Sequence, residues 1–204
     1  MKQILKFSVI VLSLCLYSCS TKDDPKQNSS NSDSLNLDFE LRSPNNESLP
    51  AIWSVGTIDA QSVGGENYQI SLDDLEKHSG KLSLKMEMSS TPNGKFGAFI
   101  NALPSGTFTG KTVVFKGWIK TMNVQFVDTQ GTVGLWLRAD SANTALQFAD
   151  TYYHILKGDN DWTQVAITMN VNKNATAVYF GGAFEGIGAT WFDNLELSVD
   201  GTKY

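Results

Sequence analysis

The sequence predicts an all-β sandwich, and three observations predict it. No long stretch repeats its apolar residues at helical spacing. Short runs instead alternate apolar and polar residues, and Gly, Asn, Asp and Pro break those runs where turns are needed. Finally, residues 36–204 are long enough for one domain with a substantial core, and no internal repeat divides them.

The chain opens with a basic start, Lys2 and Lys6, around a mostly apolar run from Ile4 to Tyr17. A membrane-spanning helix needs about 20 apolar residues, so this run reads as an export signal over residues 1–18. Leu16-Tyr17-Ser18-Cys19 resembles a bacterial lipobox, which implies that Cys19 becomes a lipid-modified first residue. An ordinary export signal with an incidental cysteine is the alternative. Acyl chains on Cys19 would anchor the protein without spanning, each buried methylene contributing about 0.8 kcal/mol. Ser20-Thr21-Lys22-Asp23-Asp24 is similar to the surface-export signal of Bacteroidota lipoproteins, which implies an outer-membrane lipoprotein exposed at the cell surface. A solvated charged spacer, which leaves the periplasmic side open, explains the same residues. Residues 19–35, polar from Pro25 to Ser34, form the expected tether, because so little apolar surface cannot offset the entropy of ordering.

Both cysteines, Cys15 and Cys19, fall in the targeting region, so the domain is expected to carry no disulfide. After loss of the signal, 14 basic residues face 21 acidic ones. That balance argues against nucleic acid as a partner, since such binding needs a concentrated basic face.

Within the domain, Ser71 to Glu76 suits a short helical turn. Strands are predicted over Lys81–Met88, Phe96–Leu103, Lys111–Lys120, Thr132–Ala139, Thr163–Val171, Ala177–Phe184 and Thr190–Val199. Alternation assigns their faces. Val113, Phe115 and Ile119 point to a core, leaving Lys116, Trp118 and Lys120 opposite. Val133, Leu135 and Leu137 likewise leave Trp136 and Arg138 facing out. Val178 and Phe180 leave Tyr179 outside. Aromatic rings beside cations suit sugars, whose C–H faces lie on rings while fixed donors pair with hydroxyls. The expected ligand-binding set is therefore Trp118, Trp136, Arg138, Lys116 and Tyr179, with Gln164 and Thr168 nearby. The alternative is that a loop covers these rings, with Phe148 to His154 as cover or rim.

Two bracketing segments, Leu37-Asp38-Phe39-Glu40 and Trp191-Phe192-Asp193-Asn194-Leu195, enclose Tyr68 to Asp73 and His78 to Leu84. In this order they resemble galactose-binding-like jelly-roll domains, including family 4 and family 22 carbohydrate-binding modules. The resemblance implies a jelly-roll β-sandwich and a structural calcium shared by Glu40 and Asp193, with carbonyls around His78 to Lys81 as further ligands. Calcium takes six to eight oxygens at about 2.3–2.6 Å, which such a set could begin to supply. A simple hydrogen-bonded tie to backbone is the other reading of both acids.

The succession from Asp38-Phe39-Glu40 through Trp53, Gly117 to Thr121, Gly134 to Arg138, Asp161-Trp162 and Tyr179 to Gly182, closing with Asp200-Gly201, is similar to an accessory domain. That domain precedes some erythromycin esterase-like hydrolases and tail-specific-protease-like peptidases. The resemblance covers the accessory domain and none of the catalytic chemistry. His78 and His154 lie in no metal-binding spacing, no Gly-x-Ser-x-Gly elbow is present, and the Gly pairs lack a phosphate-loop context. The expectation is a monomeric, non-catalytic binding module for carbohydrate or a related cell-surface polymer. Docking on an envelope protein such as a hydrolase is the alternative, and either way only the lipid anchor touches the membrane.

Overall fold

The alternating runs become a two-layer jelly-roll sandwich in the computed structural model, which describes residues 35–59, 68–92, 94–104, 106–126, 131–142, 144–152 and 156–204. The strands are β1 (Arg42–Ser43), β2 (Asn46–Pro50), β3 (Ser54–Asp59), β4 (Gln69–Asp73), β5 (Ser83–Met88), β6 (Lys95–Ala102) and β7 (Thr112–Gln125), followed by β8 (Thr132–Ser141), β9 (Thr144–Asp150), β10 (Gly158–Asn170), β11 (Ala177–Glu185), β12 (Ile187–Val199) and β13 (Thr202–Lys203). One sheet runs β10-β7-β12-β5-β4, with β13 hydrogen-bonded to the end of β12. The second runs β3-β6-β11-β8-β9, and β1 pairs with β2 apart from both. Adjacent strands are antiparallel throughout. Among the described residues there is no helix, and so none long and apolar enough to cross a membrane. The export signal, Cys19 and the tether lie outside the described residues.

The predicted inward residues do fill the space between the sheets. Val113, Phe115 and Ile119 from β7, Leu135 and Leu137 from β8, and Val178 and Phe180 from β11 are fully buried or nearly so. Phe99, Phe184 and Phe192 join them, and Phe99 meets Phe192 edge-on at 5.0 Å and Phe115 meets Phe180 at 5.2 Å. Each such side chain contributes about 1.5–3 kcal/mol by leaving water, and the edge-on ring geometry adds to that.

Two expectations change. The helical turn over Ser71–Glu76 is instead the strand β4 followed by a bend. Ile70 and Leu72 pair with Met86 and Leu84, and the Asp73 carboxylate accepts the amides of Leu75 and Glu76. Asp73 thus caps a turn at a strand end, the alternative that short polar side chains offer to helix initiation. The alternation also under-counts strands, because β2, β3 and β9 carry few bulky apolar residues.

Candidate ligand-binding faces

The sandwich has two outer faces, and the expected five-residue platform is divided between them. Trp118 and Lys116 project from β7 in the first sheet. Trp136 and Arg138 project from β8, and Tyr179 from β11, in the second. A single platform holding all five is corrected to two separate groups, because core-facing parity is shared by both sheets while their outward sides point apart.

On the first face the bracketing motifs explain themselves. Glu40 Oε1 accepts the amides of Lys81 at 2.6 Å and Leu82 at 3.1 Å. Asp193 Oδ2 accepts the amides of His78 at 2.7 Å and Ser79 at 2.8 Å, and its Oδ1 accepts Asn194 N–H at 2.6 Å. The two acids, 153 positions apart, therefore hold one short loop against the sheet. Gly80 lets this happen: its φ is +58°, and a Cβ there would fall onto Glu40 Oε1. Burial pushes the Asp193 carboxyl upward, and the Ser79, Asn194 and His78 amides oppose that rise without cancelling it.

The clasped loop uses up the face beneath it. The His78 ring stacks on Trp118 at 4.0 Å, and Trp162 meets His78 edge-on at 5.7 Å. Lys120 binds Glu76 at 2.7 Å, and this pairing raises the Lys120 pKa. The Trp191 indole donates to Asp73 Oδ2 at 2.8 Å, while Lys85 Nζ lies 5.5 Å from the Trp191 ring centre. Burial alone would raise the Asp73 pKa, but the Trp191, Leu75 and Glu76 donors and the Lys85 charge hold it below the ordinary value. Lys116 pairs with Glu196 at 3.1 Å, and Lys203 shares that carboxylate; hydrogen bonds from both lysines depress the Glu196 pKa.

These contacts also test the calcium reading. The groups that the loop turns toward Glu40 and Asp193 are amide N–H donors, whereas calcium takes oxygen ligands. Among the described residues, no three His, Cys, Asp or Glu side chains gather closely enough to hold a metal. The arrangement does not fit a calcium cage, and it serves as a carboxylate-to-backbone tie.

The second face is built differently. A transverse row of small residues, Gly56–Ala98–Ala183–Gly134, crosses β3, β6, β11 and β8. The neighbouring row reads Ile100–Gly181–Trp136–Asp150, and the next Ala102–Tyr179–Arg138–Phe148. Small residues thus form a floor under the rings, and it is covered: Ala98, Ala183 and Trp136 are all buried, and Phe148 is the ring left half-exposed. Trp136 packs with Phe96, Ala98 and Ala183 as a cluster distinct from the main core, flanked by Ile100, Tyr152 and Tyr179.

Phe148 lies nearly parallel to Trp136, with ring centres 6.2 Å apart, and is 46 % exposed. Tyr152 lies over Gly134, where a Cβ would come within 2.9 Å of its ring. Burial, then the charges of Asp150 and Glu185, pushes the Tyr152 phenol far above its ordinary value. Arg138 is 7 % exposed, and its Nε donates to Asp140 Oδ1 at 2.7 Å.

Sequence reasoning thus placed Trp136, Arg138 and Tyr179 together and named Phe148 and Tyr152 as cover or rim. Tyr153 and His154 lie outside the described residues. Asp150 and the row of small residues went unread. The alternation Phe148–Asp150 in β9, in step with Trp136 and Arg138, is the signal that could have found Asp150. A separate cleft of about 360 Å³, lined by Leu37, Asp38, Asn194, Leu195 and Tyr204 among others, lies beside the bracketing motifs and away from the aromatic floor.

No family model matches the chain. A 130-residue stretch is 27% identical to an uncharacterised HTH-type transcriptional regulator, YbfP, of Bacillus subtilis (strain 168), covering 63% of this chain and 42% of that protein. The chain thus spans less than half of that relative's length. Among solved structures, the Stig cyclase Fisc from Fischerella sp. TAU superposes with a TM-score of 0.55 at 13% identity, over 80% of this chain and 94% of that one. The CBM22-1 xylan-binding domain of Paenibacillus barcinonensis Xyn10C gives 0.50 at 12% identity, over 80% and 91%. The enzymatically active domain of bacteriophage CBA120 tailspike protein 4 gives 0.53 at 11% identity, over 73% of this chain and 19% of that one. At these identities the shared property is the fold, which evidently hosts both binding domains and enzymes.

Proposed function

We propose that the protein is a non-catalytic binding module that holds carbohydrate against the outer face of its second sheet. The observation that carries this reading is the half-exposed Phe148 ring lying parallel to Trp136, with Tyr179 on the same face in the adjacent row. Rings presented on one sheet face offer a flat apolar surface to a pyranose, and they lose few rotors on binding. Phe148 and Tyr179 would take the C–H faces of the sugar, with Trp136 as backing. Arg138, pinned by Asp140, is a rigid polar element between them. The fold shared with a xylan-binding domain agrees with this assignment. Lys116 and Trp118, engaged by Glu196 and His78, are left out of the proposed site.

Isothermal titration against neutral xylo- and cello-oligosaccharides tests the reading. Binding that weakens by about tenfold or more in Phe148→Ala, from the loss of a stacking ring, is the expected result. Phe148 is half-exposed, so this variant should fold; undiminished affinity in it would remove this face. Docking on an envelope protein is favoured by one observation, the exposed Leu146 beside Phe148 on the edge strand β9. Binding to no oligosaccharide, with capture of a defined envelope partner lost in Leu146→Asp, would select that reading. We further propose that Cys19 carries a lipid and that residues 19–35 tether the domain to the outer membrane. Metabolic labelling with a fatty acid, lost in Cys19→Ala, is the corresponding test.

A further inference from the structure

Among the large apolar side chains that stand exposed, two share one mount. Leu41 is 50 % exposed and Ile52 56 %. They lie at the base of the β1–β2 hairpin, where the Ala51 N–H donates to the Leu41 carbonyl at 2.8 Å and brings the two segments together. Asn36, itself buried, fixes that base. Its Nδ2 donates to the Leu41 and Ala51 carbonyls at 2.9 and 3.1 Å, and its Oδ1 accepts the Leu41 N–H at 2.8 Å. The Trp53 indole in turn donates to the Asn36 carbonyl at 2.9 Å, so the mount is tied to the core.

A single exposed aliphatic residue is ordinary on a protein surface. Ile52 is not ordinary, because its φ is +61°. A β-branched side chain is out of place in left-handed backbone, which glycine or asparagine adopts with less strain. The chain holds a disfavoured residue in a disfavoured conformation, with more than half of that residue in water. Strain of this kind points to a use outside the fold itself.

The tether enters the domain at the same place. Leu35, Leu37 and Phe39 are buried in the core, and Asn36 between them holds the hairpin base. Residues 20–34 separate that point from Cys19. A flexible chain of this length has a root-mean-square span of about 20–25 Å. It would hold the domain beside a bilayer at an effective concentration on the order of millimolar, enough to populate a contact too weak to recruit the free protein. Over residues 38–52 the exposed charges are Asp38, Arg42 and Glu47, which make no basic patch for anionic headgroups. The chemistry left is apolar. We infer that Leu41 and Ile52 dip into the apolar boundary of the membrane and hold the tethered domain in one orientation against it. The inference rests on the lipid-anchor reading above and goes beyond it.

The test uses the full-length lipoprotein, purified from cells and reconstituted into phosphatidylcholine vesicles that carry a photoactivatable phosphatidylcholine. After irradiation, mass spectrometry should find lipid adducts on the peptides holding Leu41 and Ile52 about fivefold more often than on β9, which carries the exposed Leu146 and Phe148. That enrichment should persist at about 0.5 M salt, where charge is screened. Ile52→Gly suits the left-handed backbone, so its urea midpoint should be unchanged or higher while the adducts fall severalfold. Leu41→Ser should deepen the fall. Even labelling of the hairpin and β9, or enrichment lost in salt, would overturn the inference while leaving the lipid anchor in place. Adducts undiminished in both variants would do the same, since they would reflect mere nearness to the tether. Absence of fatty acid from Cys19 would overturn both readings.

Discussion

The two outer faces of the sandwich start from one recipe and finish differently. On β7 and on β8, aromatic and basic side chains alternate with core residues in nearly the same rhythm. On the first face, Asp193 and Glu40 draw the loop around His78 to Leu82 onto the sheet, and Trp118, Lys120 and Trp191 become its bedding. On the second, small residues in register across four strands lie buried with Trp136, no charged loop is clasped over them by the bracketing acids, and Phe148 is left half-exposed beside Trp136. The lesson is physical. Strand parity decides which side of a sheet a ring occupies, but a distant chain segment decides whether that ring has anything left to bind.

Removing the clasp should produce the largest effect. Asp193→Ala would strand three amides that now share one buried carboxylate. With about 1–3 kcal/mol for each buried donor left unpaired, partly recovered by water, the net cost is about 3 kcal/mol. Urea denaturation should show the loss, and quenching of tryptophan fluorescence by acrylamide should rise as Trp118 is uncovered. A loss below about 0.5 kcal/mol would place Asp193 among ordinary surface acids and erase the distinction between the faces.

Binding should separate the faces next. Phe148→Ala on the second face should weaken oligosaccharide binding by about tenfold. Trp118→Ala on the first should lower stability through its lost stack with His78 yet leave affinity within about twofold. If Trp118→Ala abolished binding in protein shown to be folded, the assignment of the two faces would be reversed.

Much of this division was hidden from the sequence, for identifiable reasons. Alternation placed Val113, Phe115, Leu135, Val178 and Phe180 in the core because a sheet's period of two is local and unambiguous. The same local rule put Trp118 and Trp136 both on the outside, but it could not say that their strands belong to different sheets. That fact depends on long-range pairing, β7 with β10 and β12, and β8 with β9 and β11. The clasp depends on contacts 41 to 115 residues apart in the chain, so Glu40 and Asp193 were legible as a resemblance and not as geometry. The strands β3 and β9 escaped because Gly, Ser, Ala and Thr carry little periodic signal, and their pairing with β6 and β8 supplies what propensity does not.

Acid titration offers a smaller effect, confined to the clasped face. Asp73 and Glu196 are held below their ordinary pKa values, so the stability they contribute is present above about pH 4 and is lost as pH falls through their folded values. Asp193 is raised, so the folded state keeps its proton longer than the unfolded chain. Its contribution declines as pH rises from about 4 toward its folded value. The two windows lie on opposite sides of about pH 4, and Asp73→Asn should flatten the acidic limb of a stability–pH curve while leaving the limb above it intact. An acidic limb unchanged in Asp73→Asn would show that the Trp191 and Lys85 contacts do not carry that dependence.

The smallest expected effect is none. Two acids from opposite ends of a jelly-roll, converging on one loop, invite a metal, and chelation is the sharpest way to ask whether the clasp is ionic or hydrogen-bonded. A cation between Glu40 and Asp193 would need oxygen atoms from the loop, yet the loop presents the amides of His78, Ser79, Lys81 and Leu82. Those N–H dipoles point their positive ends at the carboxylates and would repel a cation placed there. Four amides already supply the charge complement that calcium would otherwise bring. The melting temperature should therefore be the same in EDTA as in millimolar calcium, and Asp193→Ala should be destabilised equally in both. A fall of several degrees on chelation, absent in Asp193→Ala, would mean that the loop turns its carbonyls inward around a metal and that the clasp is ionic after all.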